Sequence, residues 1–396
     1  MEKIAVILPA LLPVPSVLGG AVESIINNMI DENERNPRFQ FSIYSEWNKE
    51  AEEKSKQYRY TEFFFFKTNP YMERLQNFWY RFLKKIFKVS VSDRIVRKKM
   101  VKKAAEKEYD WILYQAGEVF SLKKYSKYLP KEKVLVHAHG MITPIPEVDR
   151  FFSYYLSISD YVANYWKSKS KRPDSTYFTW KNCIKTENFM KETSSEQKNV
   201  LMEKFGLKDD DFVVLFTGRI IPEKGVLELI QSLDDIDNEK VKIIIIGSAR
   251  FANKSCTPYE RAVAEEIEKH KDQVIFTGYI PNEELYQYYS LAHIAVVPSK
   301  WEEPAGLVVI EAMAAGKPII TTGSGGIREY TDENCSLFVN NDEFLSKSLA
   351  EKIIQLMNNP NRIKEMGAMA QKKAQEYNMC QYLDNLQEIV KKISYN

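Results

Sequence analysis

Two acids, Glu303 and Glu311, stand eight residues apart in SKWEEPAGLVVIEAMAAGKP (299–318), and two cations, Arg219 and Lys224, stand five apart in TGRIIPEKGVLELI (217–230). A guanidinium offers a fork of donors to phosphate oxygens and an ammonium offers a point charge, so this pair suits a diphosphate. Each charge-assisted hydrogen bond of that kind contributes about 1.5 to 3 kcal/mol. Taken alone, both cations read as solvated loop charges, Glu303 as a helix-dipole partner or cap, and Glu311 as a solvated helical residue. Their spacing changes that reading. Glu303 falls in a loop and Glu311 about two turns into the next helix, so one acid can reach a ligand's sugar and the other its ribose.

These residues need particular elements to hold them. IAVVPS reads as a buried strand, residues 301–304 as a loop, and 306–315 as a helix ended by Gly316 and Pro318. Free amides near Ala305, Gly306 and Leu307 then make a helix N-terminus, a ready anion site, and the small residues keep its backbone accessible. A strand likewise ends at Thr217 and Gly218, with Arg219 and Lys224 on the loop and a helix starting near Gly225. TTGSGGIRE supplies a further loop in which Gly325 and Gly326 allow close backbone approach, suited to closing a phosphate and sugar site. Glu302 is an additional acid, read as surface.

At 396 residues the chain suits two domains of nearly 200 residues each, and 44% apolar residues with 13% aromatics are ample for two cores. A net charge of +2 does not point to nucleic acid. Cys183, Cys256, Cys335 and Cys380 form no CxxC and no even ladder, which suits free buried thiols in a reducing cytosol. The first residues, MEKIAVILPALLPVPSVLGG, are read as a strand and a loop rather than a signal peptide, since Pro9, Pro13 and Pro15 break the apolar stretch. No run of 18 apolar residues suggests a membrane span.

Strand-like runs at IAVIL, FQFSIY, TEFFFF, DWILYQ and KVLVHAH alternate with helical patterns in the first half. FVVLFTG, VKIIIIG, VIFTGYI, HIAVVPS and KPIITTG do so more cleanly in the second. This is the pattern of two α/β domains with parallel sheets, whose ligands sit at the strand ends. The expected division is an N-terminal domain at 1–185, a polar linker at 186–199, a C-terminal domain at 200–375, and a helical tail at 376–396 that packs back on the first domain.

From 217 to 330 the chain resembles the nucleotide-binding domain of retaining glycosyltransferases of family 4, which have the GT-B architecture of two Rossmann-like domains facing each other across a cleft. TGRIIPEKGVLELI, FTGYIPNEELYQYYSLAHIAVVPS and WEEPAGLVVIEAMAAGKPIITTGSGGIRE carry the resemblance, in family order and spacing. The first half resembles the family more loosely, through Gly19 and Gly20, HAHG (137–140) and YLSISDYV. The resemblance implies that Arg219 and Lys224 hold the nucleotide diphosphate and stabilise the leaving group. It matches Glu303 to the first acid of the EX7E motif, beside the donor sugar, and Glu311 to the second, on the ribose. Tyr279 and Ile280 are implied to contact the base largely through backbone, His139 to reach the donor sugar across the cleft, and the Gly19–Gly20 loop to face the diphosphate. The chain departs from the family at Ala305, where Phe is usual. It departs again at Asn182, Cys183, Ile184 and Lys185, where NGID is frequent.

The implied activity is transfer of a hexose-type sugar to a glycan or lipid-linked acceptor, as in bacterial capsule, exopolysaccharide or cell-wall assembly, with retention of configuration. UDP, GDP, dTDP and ADP donors all remain open, a UDP-sugar being favoured. No DxD-like metal site stands at a plausible strand end, and the HxH of His137 and His139 lacks a third ligand. No essential metal or cofactor is therefore expected, and His137 is read as structural. Residues 74–88, RLQNFWYRFLKKIFK, place Leu75, Phe78, Trp79, Phe82, Leu83 and Ile86 on one helical face with Arg and Lys opposite, and basic residues continue to Lys103. Such a stretch, 74–103, suits either an anionic membrane surface or an ordinary core helix with a charged outer face. A cytoplasmic protein, peripheral at the inner face of the membrane in the first case, is expected. The alternatives are a nucleotide-sugar 2-epimerase-like isomerase and a non-catalytic nucleotide-sugar-binding module.

Overall fold

The run IAVI of β1 (Glu2–Ile7) is fully buried, as befits a strand covered on both faces. Six more strands pair with it in one parallel sheet: β2 (Phe39–Glu46), β3 (Thr61–Phe66), β4 (Trp111–Ala116), β5 (Val134–Ala138), β6 (Tyr154–Ser157) and β7 (Tyr177–Thr179). Their order is β3-β2-β1-β4-β5-β6-β7, so the chain reverses direction across the sheet between β1 and β4. A computed structural model of the chain describes residues 1–9, 12–68, 95–116, 121–142, 146–247 and 257–395. The amphipathic face expected at 74–88 lies outside the described residues, as does Cys256.

A second parallel sheet is built from β8 (Phe212–Thr217), β9 (Val241–Ile246), β10 (Val274–Gly278), β11 (Ile294–Val297), β12 (Ile319–Thr321) and β13 (Ser336–Phe338). Its order is β10-β9-β8-β11-β12-β13, and the reversal falls between β8 and β11. Ile243, Ile245, Val214, Phe216 and Val296 fill the core beneath helices Val226–Gln231 and Leu345–Met357. The two sheets hold every strand that the sequence pattern predicts. They also hold β6, β7 and β13, which the pattern does not predict, because three or four residues are too few to show a period.

The chain divides into two compact units, residues 1–182 with 379–396, and residues 183–378. The stretch expected as a linker at 186–199 is not a free connector. It holds a 3-10 turn at Thr186–Asn188 and the first residues of helix Ser195–Phe205. A capping box starts that helix: Ser194 Oγ accepts from Gln197 N and Gln197 Oε1 from Ser194 N, both at 3.1 Å. Helix Met379–Ser394 belongs to the first unit, where the Tyr382 ring stacks on Trp180 at 4.2 Å and Asp384 accepts from Arg38 Nε at 2.7 Å. Cys183 and Cys335 are buried, but Cys380 is exposed, its Sγ accepting from Arg38 Nη2 at 3.1 Å.

Candidate functional site

Ligands of doubly wound sheets sit outside the carboxyl ends of the strands where the order reverses. In the second unit that place lies between β8 and β11, and the loops after these two strands carry Gly218, Arg219 and Lys224 on one side and Ser299 to Gly306 on the other. Arg219 is exposed, and its guanidinium makes no hydrogen bond or ion pair with another described residue. Lys224 ends a 3-10 turn, Pro222–Lys224, rather than lying on open loop, and helix Val226–Gln231 begins two residues later. Gly225 joins the two with φ at 68°, and a Cβ there would lie 2.0 Å from the Pro298 carbonyl oxygen. Only glycine lets the backbones of these two loops meet so closely.

Glu303 is the point on which the loops converge. It is buried, and its Oε1 accepts from Lys224 Nζ and, at 2.9 Å, from Ser299 Oγ. Lys300 N donates to the Glu223 carbonyl at 2.8 Å, fastening the first loop to the second. The loop after β12 joins as well. Gly326 N donates to the Glu303 carbonyl at 2.7 Å, Thr322 Oγ1 donates to the Ser299 carbonyl at 2.7 Å, and a Cβ on Gly325, whose φ is 60°, would lie 2.3 Å from that Glu303 oxygen. Glu303 is thus neither a cap nor a solvated acid. Sequence does not single out Ser299, because a serine at a strand end carries no signal of its own.

The helix after this loop is Leu307–Ala314, with Gly306 as its N-cap and no side-chain cap, so Ala305, Gly306 and Leu307 present the helix N-terminus beside Glu303. Glu311 lies inside it at 8% exposure, not on a solvated face. Burial pushes its carboxyl up to about 8. That carboxyl has no hydrogen-bond or ion-pair partner among the described residues. Tyr289 stands near it. Burial and the Glu311 charge raise the Tyr289 hydroxyl well above its ordinary range, and that hydroxyl is 3.2 Å from Thr217 Oγ1 at the end of β8. A buried carboxylate without a partner is costly unless a ligand's hydroxyls satisfy it. Tyr279 and Ile280 come just after β10, two strands out from β8 along the same edge, or about 10 Å away.

In the first unit the reversal between β1 and β4 carries the loop with Gly19 and Gly20, which leads into helix Ala21–Arg35. Ser16 ties that loop down: its N donates to Asn27 Oδ1 at 3.0 Å and its Oγ to the Gly19 carbonyl at 3.1 Å. His139 lies just past β5, and Gln115 stands near the end of β4 beside it. Gln115 Oε1 faces His139 Nε2 at 2.5 Å and His137 Nδ1 at 3.1 Å. Burial lowers both imidazoles, His139 to about 4 and His137 well below its usual range, with His139 adding to the effect on His137. Both rings are therefore neutral at pH 7. His137 also packs on Trp180 at 4.5 Å, the structural part expected of it. Of the sequence-named residues, the structure brings ten together around the second unit's strand reversal, sets Tyr279 and Ile280 farther along that edge, and leaves Gly19, Gly20 and His139 at the corresponding edge of the first unit.

Asp234, Glu266 and His270 are the one group of three metal-type side chains among the described residues with ligand atoms within 4.8 Å of one another. They precede β9 and β10, at the edge of the sheet opposite the loops above, and Lys269 Nζ already occupies Glu266 at 2.8 Å.

Residues 197–373 match the family model of glycosyl transferases group 1. This stretch of the chain belongs to that family. Among curated relatives, spore coat protein SA of Bacillus subtilis is 32% identical over 165 residues, covering 41% of this chain and 44% of that protein. A lipopolysaccharide 1,2-N-acetylglucosaminetransferase of Salmonella typhimurium is 25% identical over 205 residues, 51% of each chain. The chain spans about half the length of the curated relatives it matches. Among solved structures, Anabaena HepE in complex with UDP-glucose aligns over 100% of both chains at TM-score 0.71 and 19% identity. Sucrose-phosphate synthase from Thermosynechococcus elongatus aligns over 100% of both at TM-score 0.72 and 17% identity. The fold is GT-B, with two Rossmann-like α/β domains, the group 1 domain being the second.

Proposed function

We propose that the chain is a retaining glycosyltransferase that moves a hexose-type sugar from a nucleotide-diphosphate sugar, a UDP-sugar foremost, to a glycan or lipid-linked glycan. The observation that carries this reading is the convergence of three strand-end loops on Glu303, beside an unpaired Arg219 and an uncapped helix N-terminus. Arg219, Lys224 and the amides at Ala305, Gly306 and Leu307 would hold the diphosphate, and Glu311 the ribose hydroxyls, with the base over Tyr279 and Ile280. Gly325 and Gly326 close the sugar side, while Gly19, Gly20 and His139 are the first unit's contribution.

In the transfer step the bond between the anomeric carbon and the diphosphate oxygen breaks as the acceptor hydroxyl attacks from the same face. The acceptor proton passes to the departing diphosphate. Charge grows on that leaving oxygen, and preorganised cations and amides stabilise it most where water is excluded. Glu303, held by Lys224 and Ser299, orients the sugar and forms no covalent intermediate. No step requires a metal. HepE, similar in fold, holds UDP-glucose, and the Salmonella protein, similar in sequence over half its length, is a lipopolysaccharide N-acetylglucosaminetransferase. These likenesses favour a UDP-sugar donor and a polysaccharide pathway.

Helix Ile95–Ala104 exposes Lys98, Lys99, Lys102 and Lys103 and buries Val96, Met100 and Val101. That basic face suits peripheral contact with an anionic membrane carrying the acceptor. Among the described residues no helix is long and apolar enough to cross a membrane. The test of function is incubation with UDP-, GDP-, dTDP- and ADP-sugars plus a glycan acceptor, with the product's anomeric configuration read by NMR. An inverted product, or an epimerised donor without transfer, rejects the reading.

A further inference from the structure

Gln115 is fully buried near the end of β4, and the parallel register sets it beside His137 of β5. Residues two apart on a strand share a face, so His139, just past the end of β5, lies on the same side. The side-chain oxygen of Gln115 then meets one nitrogen of each imidazole, at 3.1 Å for His137 Nδ1 and 2.5 Å for His139 Nε2. An amide oxygen only accepts, so with the Gln115 oxygen facing both rings each of those nitrogens carries its proton, and Gln115 Nε2 and His137 Nε2 are left without a hydrogen-bond partner among the described residues. A neutral imidazole carries one proton, which leaves its other nitrogen a bare lone pair.

The surroundings make this arrangement stiff. The Gln115 carbonyl accepts from Arg97 Nη2 at 2.5 Å, and Arg97 is itself buried with its guanidinium 4.0 Å over the Tyr114 ring. Behind the histidines stands a column of rings: His139 to His137 at 4.1 Å, His137 to Trp180 at 4.5 Å, and Trp180 to Tyr382 at 4.2 Å. His137, held between two rings, cannot turn over without breaking contacts on both sides, and His139 cannot do so without losing Gln115.

We infer that Gln115 is a positioning residue that holds His139 with its proton on Nε2 and its Nδ1 free as a hydrogen-bond acceptor. His139 is thereby suited to receive a hydrogen bond from a hydroxyl and unable to donate one from Nδ1. The functional side of this inference rests on the part proposed above for His139 at the donor sugar. It extends that part by specifying which ring atom meets the sugar and what kind of group it takes, a hydroxyl acting as donor.

Long-range proton–nitrogen correlation NMR on protein labelled with nitrogen-15 histidine reads the tautomer without any substrate, with His139→Asn giving the assignment. The expected result is a protonated Nε2 and an unprotonated Nδ1 in the wild type. Gln115→Leu should give a mixture of tautomers, and lower kcat about 10-fold to 100-fold while the donor KM moves far less, as loss of an orienting partner does. Gln115→Glu keeps an accepting oxygen at the same reach and should retain the wild-type tautomer. A wild-type His139 protonated on Nδ1 overturns the inference without recourse to any variant, and so does a Gln115→Leu protein with unchanged tautomer and kcat. If the tautomer is as expected but a His139→Ala protein transfers sugar at the wild-type rate, the part given to His139 falls while the hold of Gln115 on its ring stands.

Discussion

The Lys224 ammonium donates to Glu303 Oε1 in an ion pair whose side chains are only 21% and 9% exposed, and the two residues come from the loops on either side of the strand reversal. Removing one partner from a shielded pair leaves the other charge uncompensated. Lys224→Met should therefore lose about 1 to 3 kcal/mol in urea denaturation. The double variant with Glu303→Gln should recover most of that loss, because no lone charge remains. Transfer should stay lower than wild type by a factor of about 10² to 10³ in both of these proteins and in Glu303→Gln alone. Equal stability of wild type and Lys224→Met would contradict the pairing.

Glu311 gives a pH dependence with a definite sign. Burial raises its carboxyl from 4.5 in the unfolded chain to about 8. Below pH 4.5 both states are protonated and the residue adds no slope. As pH rises toward 8 the unfolded chain ionises and the native one does not, so stability falls, by up to about 1.4 kcal/mol per pH unit, and levels off above. Glu311→Gln lacks that slope. Its advantage over wild type in denaturant unfolding should widen across the window, and parallel curves would refute the shift. Ribose hydroxyls favour the ionised form, so nucleotide binding to the wild type should release a proton and tighten with rising pH, as calorimetry in buffers of different ionisation enthalpy can detect.

A third expectation concerns backbone alone. With its φ of 60° and the Glu303 carbonyl in the way, Gly325 cannot accept a side chain without moving that loop. Displacement of an orienting group by about 1 Å costs on the order of 10² in rate. Gly325→Ala should lose transfer to that extent yet still bind free nucleotide, since Glu311 and Arg219 lie on other segments. Full activity would show that Glu303 need not be held so closely.

Tyr382 is fully buried and its ring covers Trp180, whose Nε1 donates to the Tyr382 carbonyl at 2.9 Å. Tyr382→Ala removes a large core side chain, which costs about 3 to 5 kcal/mol. The loss should appear in thermal or urea unfolding of the first unit, and a change below about 1 kcal/mol would show that the C-terminal helix is only loosely applied.

Much of this is legible in the residues because the second sheet's strands are continuous apolar runs, and its site residues lie on strand-end loops whose glycines and prolines punctuate the sequence. FVVLFTGR and IAVVPSKWEEP each show a strand together with the loop that it feeds. Contacts made by register are not legible. Gln115 looks like any polar residue ending DWILYQ, and its meeting with His137 exists only because β4 and β5 pair at that step. The burial of Glu311 is hidden for a related reason. VVIEAMAA is apolar nearly all round, and an acid within it shows its side only once Tyr289 is placed near it. The expected linker at 186–199 reads as loop because a capping box within a polar stretch has no apolar period to betray its helix.

The most direct test of the proposed role of the second unit's loops is release of free nucleotide from a UDP-sugar in the presence of acceptor, compared between wild type and Arg219→Ala. The Arg219 side chain is exposed and unpaired, so its loss should leave the fold intact, and the expected result is a fall in release of about 10² or more with unfolding unchanged. Release by Arg219→Ala at the wild-type rate would contradict the assignment of these loops to the departing diphosphate.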